Sequence, residues 1–167
     1  MESIDYISKL IYQISQSSLE NVILEEQNKD YEGAFFTIGK HSFRSRKGKR
    51  TPKKQGYFVV FWEKDTLNNN KAYDFVRAPD KLIITIFDED KRGQFIFPKE
   101  LLAEKNILST ENKQGKMALR VYPDWVTSLN KTASMTQKWQ LPYFLNLSET
   151  YDSQLLKQLY FNETKKQ

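Results

Sequence analysis

The chain has 167 residues, 39% of them hydrophobic and 14% aromatic, and a formal charge of +5. That length and apolar content fit one domain with one real core and exclude a disordered chain. The absence of cysteine excludes disulfides, thiolate zinc sites and cysteine nucleophiles, and the single histidine, His41, leaves little for a histidine metal site or a catalytic triad.

In chain order, Ile4, Ile7, Leu10, Ile11 and Ile14 recur at helical spacing over residues 4–15, with Ser3 as N-cap. Ser17 or Ser18 opens a second short helical turn through Leu19, Val22 and Ile23. From Tyr31 the pattern becomes extended: a strand over Tyr31–Ile38, a turn at Gly39-Lys40, and a second strand around His41–Arg46. In that strand Phe43 faces away from Ser42 and Arg44. Gly48 and Pro52 break the next stretch into a loop. Tyr57–Trp62 and Leu82–Phe87 are apolar on both parities, the mark of central strands covered on both faces. Between them Thr66–Lys71 is a polar loop. Asp88–Gly93 turns into a third core strand, Gln94–Phe97, and Pro98 takes the first position of a short helix carrying Leu101, Leu102 and Ile107. Ala118–Tyr122 is a short strand, and Asp124 or Ser128 caps a helical stretch to about Ser134. Trp139–Leu147 is apolar and interrupted by Pro142, and Asp152 or Ser153 caps a C-terminal helix with Leu155, Leu156, Leu159 and Tyr160. The expected fold is a single α+β or α/β domain: helices over 3–25, a mixed central sheet of five or six strands within 31–122, and a helical part over 124–161. No apolar run reaches bilayer length, and Met1–Asp5 has no basic then apolar leader, so a cytoplasmic protein with no membrane partner is expected.

The charge is concentrated. Eight of the 26 Lys/Arg fall between Lys40 and Lys54 with no acid among them, leaving 18 basic against 21 acidic residues elsewhere. Such a segment attracts phosphate backbones, and Arg44, Arg46, Lys49, Lys53 and Lys54 are its candidate contacts. The alternative is a solvated loop, ordered or not over residues 45–55. Phosphate-cradling glycine motifs and nucleophile elbows are absent. His41, among cations, reads as a surface strand residue. Glu63-Lys64-Asp65 resembles a metal–lysine set only as ordinary strand ends do. Polar residues inside apolar strands are more informative, because a buried polar group must be paired. Gln94, Arg120 and Gln137-Lys138-Trp139-Gln140 are of this kind; Arg120 pairs either with an internal acid or with a bound anion. Aromatics crowd the same blocks, mostly as core, with Trp125 the one expected to be partly exposed.

Several blocks together resemble the MepB family of small bacterial proteins: Phe43-Arg44, Thr51-Pro52-Lys53-Lys54, Gly56–Trp62, Gly93–Lys99, Gly115-Lys116, Arg120–Trp125 and Thr136–Gln140, spanning roughly residues 25–145. The resemblance implies a fold similar to the restriction-endonuclease-like group, a mixed sheet flanked by helices. Enzymes of that group carry an acid on one core strand and acid-x-lysine on the next. Here Gln94 stands where the acid belongs and Ile96 where the lysine belongs, with Lys99 three residues later. Glu26 is the candidate helical acid and Asp80 or Asp88 the candidate strand acid.

The leading expectation is a nucleic-acid- or polyanion-binding domain, DNA or RNA, with Lys99, Arg120 and Lys138 lining a polar cleft beside the basic segment. The second is a magnesium-dependent nuclease or phosphodiesterase using Glu26, Asp80 or Asp88 with Lys99; only that reading calls for a cofactor. The third is a small-molecule or protein-interaction module with Trp62, Gln94, Arg120, Tyr122, Gln137 and Trp139 about a pocket.

Overall fold

Ile7, Leu10, Ile11 and Ile14 form the buried stripe of α1 (Glu2–Ser15) in the computed structural model, which describes residues 1–162. Gln16, at φ 54°, turns the chain out of the helix while its amide still donates to the Tyr12 carbonyl. Ser3 is not the cap. It lies buried in the first turn, and its amide and hydroxyl both donate to Glu32 Oε1, at 2.9 and 2.7 Å. A carboxylate from a later segment thus serves the helix N-terminus, where negative charge is favoured.

The second expected helical turn is a strand instead, β1 (Glu20–Leu24), exposed at every residue. Its β-branched Val22 and Ile23 suit extended backbone, and its hydrogen-bond partner is β2 (Ala34–Ile38). The helical region 3–25 therefore shrinks to α1. A 3-10 segment, Glu26–Tyr31, joins β1 to β2, and Gly39-Lys40 turns β2 into β3 (His41–Lys47). There follow β4 (Lys49–Arg50), β5 (Tyr57–Val60), the small hairpin β6 (Glu63–Lys64) with β7 (Asn70–Lys71), and the long pair β8 (Lys81–Asp88) and β9 (Lys91–Pro98). The chain ends its described part with α2 (Lys99–Glu104), β10 (Ala118–Val121), α3 (Lys131–Gln140), β11 (Phe144–Asn146) and α4 (Ser153–Phe161).

Six strands form the main sheet in the order β1-β2-β3-β8-β9-β11, with β3 and β8 parallel and the other neighbours antiparallel. The fold is thus a single mixed α+β domain with open sheets. β8 is its centre, as the unbroken apolar run required. Leu82, Ile84 and Ile86 face one cluster with Phe95, Phe97, Tyr57, Val59 and Val121; Ile83 and Ile96 face the other, under α1 and α4, with Phe36, Phe43 and Leu156. Each such fully buried side chain contributes about 1.5–3 kcal/mol.

A second sheet, ordered β10-β5-β4, covers the first of these faces. The Tyr57–Trp62 run is therefore not covered on both sides: Tyr57 and Val59 point inward, while Phe58 and Val60 are half-buried on an outer face. Pro98 is the N-cap of α2 rather than its first residue. The helix expected from Asp124 or Ser128 starts later, at Lys131, because Asn130 accepts the Ala133 amide at 2.9 Å while Trp125 packs against the core. Asp152 does cap α4, accepting the amides of Gln154 and Leu155.

Gln94 is an internal residue. It is wholly buried, its Oε1 accepts the Tyr160 hydroxyl at 2.7 Å, and its Nε2 donates to Thr85 Oγ1 at 3.1 Å. With Lys81 Nζ donating to the carbonyls of Leu159 and Asn162, this pins α4 to the sheet. Burial pushes the Lys81 ammonium down to about 8.

Candidate functional site

The basic segment is split by the pleat and by its neighbours. Arg46 is wholly buried on β3 and makes five hydrogen bonds: to Glu25 Oε1 (2.7 Å), Asn28 Oδ1, the Tyr73 hydroxyl (3.0 Å), and the carbonyls of Ser45 and Val60. Arg44 Nε shares the same carboxylate at 3.0 Å, its Cζ lying 3.8 Å from the Tyr73 ring centroid. Burial alone raises the Glu25 carboxyl, but Arg46 and Arg44 outweigh it and hold the group below its ordinary value. Lys47 pairs with Glu32 at 2.8 Å. Arg46 is thus closed to the expected phosphate contact, and the charge of Arg44 is already shared with Glu25, because the turn after β1 brings Glu25 onto both and Asn28 onto Arg46.

The outer half behaves differently. Antiparallel pairing sets Lys49 (β4) opposite Phe58 (β5), and Phe58 opposite Arg120 (β10), so the three form one row across the outer face of the small sheet. Tyr31 packs edge-on to Phe58, with centroids 6.2 Å apart. Lys49 Nζ lies 4.7 Å from the Tyr31 ring and Arg120 Cζ 5.6 Å from the Phe58 ring. Arg120 has neither an internal acid nor any other ion pair among the described residues; one of its NH groups donates to Thr51 Oγ1 (3.0 Å) and the Gln55 carbonyl (3.1 Å).

Beside this row lies a depression of about 390 Å³. Lys54, Lys105, Lys116 and Arg120 supply its charge, Tyr122 and Trp139 its aromatic walls, and no acid lines it. It continues along α3 into a more apolar hollow of about 630 Å³ beside Met135 and Lys138, sharing Lys105, Thr136 and Trp139. Lys105 Nζ stands 5.4 Å from the Trp139 ring. α3 is fastened here by two glutamines rather than by an apolar stripe. Gln140 accepts the Tyr122 amide and donates to the Arg120 carbonyl, at 2.9 and 3.0 Å, continuing the ladder of β10. Gln137 Nε2 donates to the carbonyls of Pro123 and Val126, both at 2.9 Å.

Arg120, Lys138, Lys54, Tyr122 and Trp139 therefore share one groove, and Lys49 lies on the adjoining face. Lys53 is exposed on the loop beside them. Lys99 does not join them: its Nζ stands 4.8 Å from the Phe75 ring, and it lines a separate small crevice with Arg44 and Lys81. Trp62, with Lys64 Nζ 5.3 Å from its ring, and the buried Gln94 line none of these hollows, and Gln137 supports the groove without lining it. Sequence reasoning misses Lys105 and Lys116 as groove residues: Lys116 stands out only within the Gly115-Lys116 family block, and Lys105 has no local signal.

The candidate acids are dispersed. Asp80 sits just before β8, its carboxylate accepting the Ser42 amide at 2.9 Å, and it meets Lys99 only through the backbone. Asp88 ends the same eight-residue strand, accepting the Tyr57 hydroxyl at 2.5 Å and Arg50 at 3.4 Å. Burial, then Asp88, push the Tyr57 phenol up to about 12. Glu26 is exposed at the start of the 3-10 segment. The described residues contain no group of three or more histidine or acidic side chains placed to hold a metal ion. They also contain no helix long and apolar enough to cross a membrane.

No curated protein matches the chain. A crystal structure of MepB is similar to it at 46% sequence identity and a TM-score of 0.79, over 87% of this chain and 98% of that one. The family model described as MepB-like matches residues 25–146, the span that holds the small sheet, the groove and all the blocks that carry the resemblance. The chain belongs to the MepB-like family.

Proposed function

We propose that the protein binds a nucleic acid, DNA or RNA, or a similar polyanionic strand, along the groove and the outer face of the small sheet. The observation that carries this reading is the combination in one place of four acid-free cations, Lys54, Lys105, Lys116 and Arg120, with the rings of Phe58, Tyr122 and Trp139. Cations spaced along a groove neutralise successive phosphates, and aromatic rings in its walls, half-buried here, are the groups on which bases stack, at about 1–3 kcal/mol per base. Arg120 supports it further: its charge is met only by neutral oxygens and a ring, so a phosphate is a stronger acceptor than its present partners. The setting that goes with this reading is the bacterial cytoplasm.

The test is fluorescence anisotropy with labelled single- and double-stranded DNA and RNA at low and moderate salt, with the probe inspected on a gel afterwards. Binding that weakens steeply as salt rises, to a probe left intact, is the expected result. Salt-independent affinity, or none at low salt, overturns it.

A further inference from the structure

The loop between β4 and β5, residues 51–56, separates the groove from another depression, of about 520 Å³. Lys54 lines both. From the groove side Arg120 fixes the loop at Thr51 and Gln55. Gly56, at φ 82°, lies so close to Tyr122 that a Cβ there would fall 2.7 Å from the ring, so the loop is held against the groove wall. On the far side, the Tyr57 hydroxyl donates to Asp88 and accepts from Trp125 Nε1 at 2.9 Å, tying β5, the β8–β9 turn and the segment before α3 into one floor.

The charges about this second depression are arranged unlike those of the groove. Lys53, Lys54 and Lys91 are exposed and have no ion pair among the described residues, while Arg50 is shared with Asp88. The backbone amides of Lys53, Lys54 and Gln55 bond to no described residue. Asp88 and Glu89 line it as well, on the β8–β9 turn that also carries Lys91, the cross-strand partner of Asp88. Unused donors are therefore in surplus on the 51–56 loop beside the groove, whereas the β8–β9 turn mixes Lys91 with two carboxylates, which disfavours a longer run of phosphates there. An internal phosphodiester brings one charge and two free oxygens. A phosphomonoester brings three free oxygens and between one and two charges near neutral pH, and so uses such a surplus better.

We infer that this depression is a phosphomonoester site, placed to hold the terminal phosphate of a strand whose body lies in the groove. The inference rests on the nucleic-acid reading of the groove. It concerns the end of the strand, whereas that reading concerns its length.

The experiment compares one oligonucleotide sequence carrying a 5′-phosphate, a 3′-phosphate or hydroxyls at both ends, at matched ionic strength, together with the corresponding mononucleotide. One phosphorylated form is expected to bind about tenfold more tightly than the hydroxyl-ended strand, the effect of one or two charge-assisted hydrogen bonds. The double variant Lys53→Gln/Lys91→Gln, whose residues line this depression and not the groove, should reduce that advantage to about twofold or less while hydroxyl-ended strands lose far less. Phosphorylated strands binding well above the mononucleotide assign the phosphate to a strand end. Equal affinities, both lost in the double variant, assign the site to free phosphomonoesters. Equal binding of all three strands overturns the inference and leaves the groove reading standing, whereas no binding of any strand overturns both.

Discussion

Arg46 and Arg120 are the same residue type on strands of one domain, and the molecule treats them in opposite ways. Arg46 lies inside β3 of the main sheet, with every direction of its guanidinium taken by a carboxylate, an amide, a phenol or a carbonyl. Arg120 lies on β10, at one edge of the small sheet, and meets two neutral oxygens and a ring. A guanidinium in the interior is tolerable only with its charge compensated, so its environment is closed to any ligand. At the edge, solvent lowers the cost of an uncompensated charge, which leaves it available. The number of cations in a segment is therefore a poor guide to binding; the face and the neighbours decide.

That contrast is broken most directly at Arg46. Arg46→Met should cost about 3–5 kcal/mol in urea unfolding, because Glu25 and Asn28 lose their buried partner, while Arg120→Met should cost under about 1 kcal/mol. Similar losses for the two would refute the division. The same network has a pH signature. Because the Glu25 carboxyl is held below its ordinary value in the folded protein, its stabilisation is present above pH 4.5 and is lost as pH falls through the lower, folded-state value. Stability measured against pH in Glu25→Gln should show a flatter acid limb than the parent.

A smaller effect is expected where the interior holds neutral polar groups. Tyr160→Phe leaves Gln94 Oε1 buried without its donor, at an expected cost of about 1–3 kcal/mol by thermal or urea unfolding. An unchanged stability would mean that α4 is held by Leu156, its apolar neighbours and Lys81 without help from the Gln94 bond.

These two interior networks mark where the sequence was hard to read. α1 and β8 were legible because their apolar spacing repeats the geometry of the element itself, and Asp152 because its cap is local. Glu25 was not legible as the partner of Arg46: twenty-one residues separate them, and only the β1–β2 connection brings them together. β1 escaped because none of its residues is buried, so backbone pairing holds it and no hydrophobic alternation records it. The groove was half legible. Arg120, Tyr122 and Trp139 stand out as polar or aromatic residues in unusual positions, but Lys105, after α2, and Lys116, before β10, become groove residues only when three segments meet. The excess of cations over Lys40–Lys54 overstated that segment's share, since Arg44, Arg46 and Lys47 spend their charge on Glu25 and Glu32.

On the binding side, Arg120→Ala should weaken strand binding about tenfold, through a lost phosphate contact and a freed 51–56 loop, with little change in the unfolding curve. An Arg44→Ala variant sharpens the comparison in the reverse sense. Its stability should fall while the affinity of the remaining folded protein, corrected for unfolded fraction, should stay within about twofold. Reduced affinity in the folded fraction would return Arg44 to the interface.

The finest discrimination lies in the salt dependence. Lys116 is exposed, lines the groove, and has no ion pair among the described residues, so Lys116→Gln removes a charge without removing a structural contact. If its ammonium neutralises one phosphate, the slope of log affinity against log salt should become shallower by about 0.7–0.9, with unfolding unchanged. Lys47→Gln removes a charge of the same sign from the same chain, but one already spent on Glu32 at 2.8 Å, and should leave the slope as it is while costing some stability. Equal slopes for the two variants would mean that binding responds to net charge alone, and the groove would lose its claim to be the site. Only a local interface makes two lysines of equal formal charge unequal in this measurement.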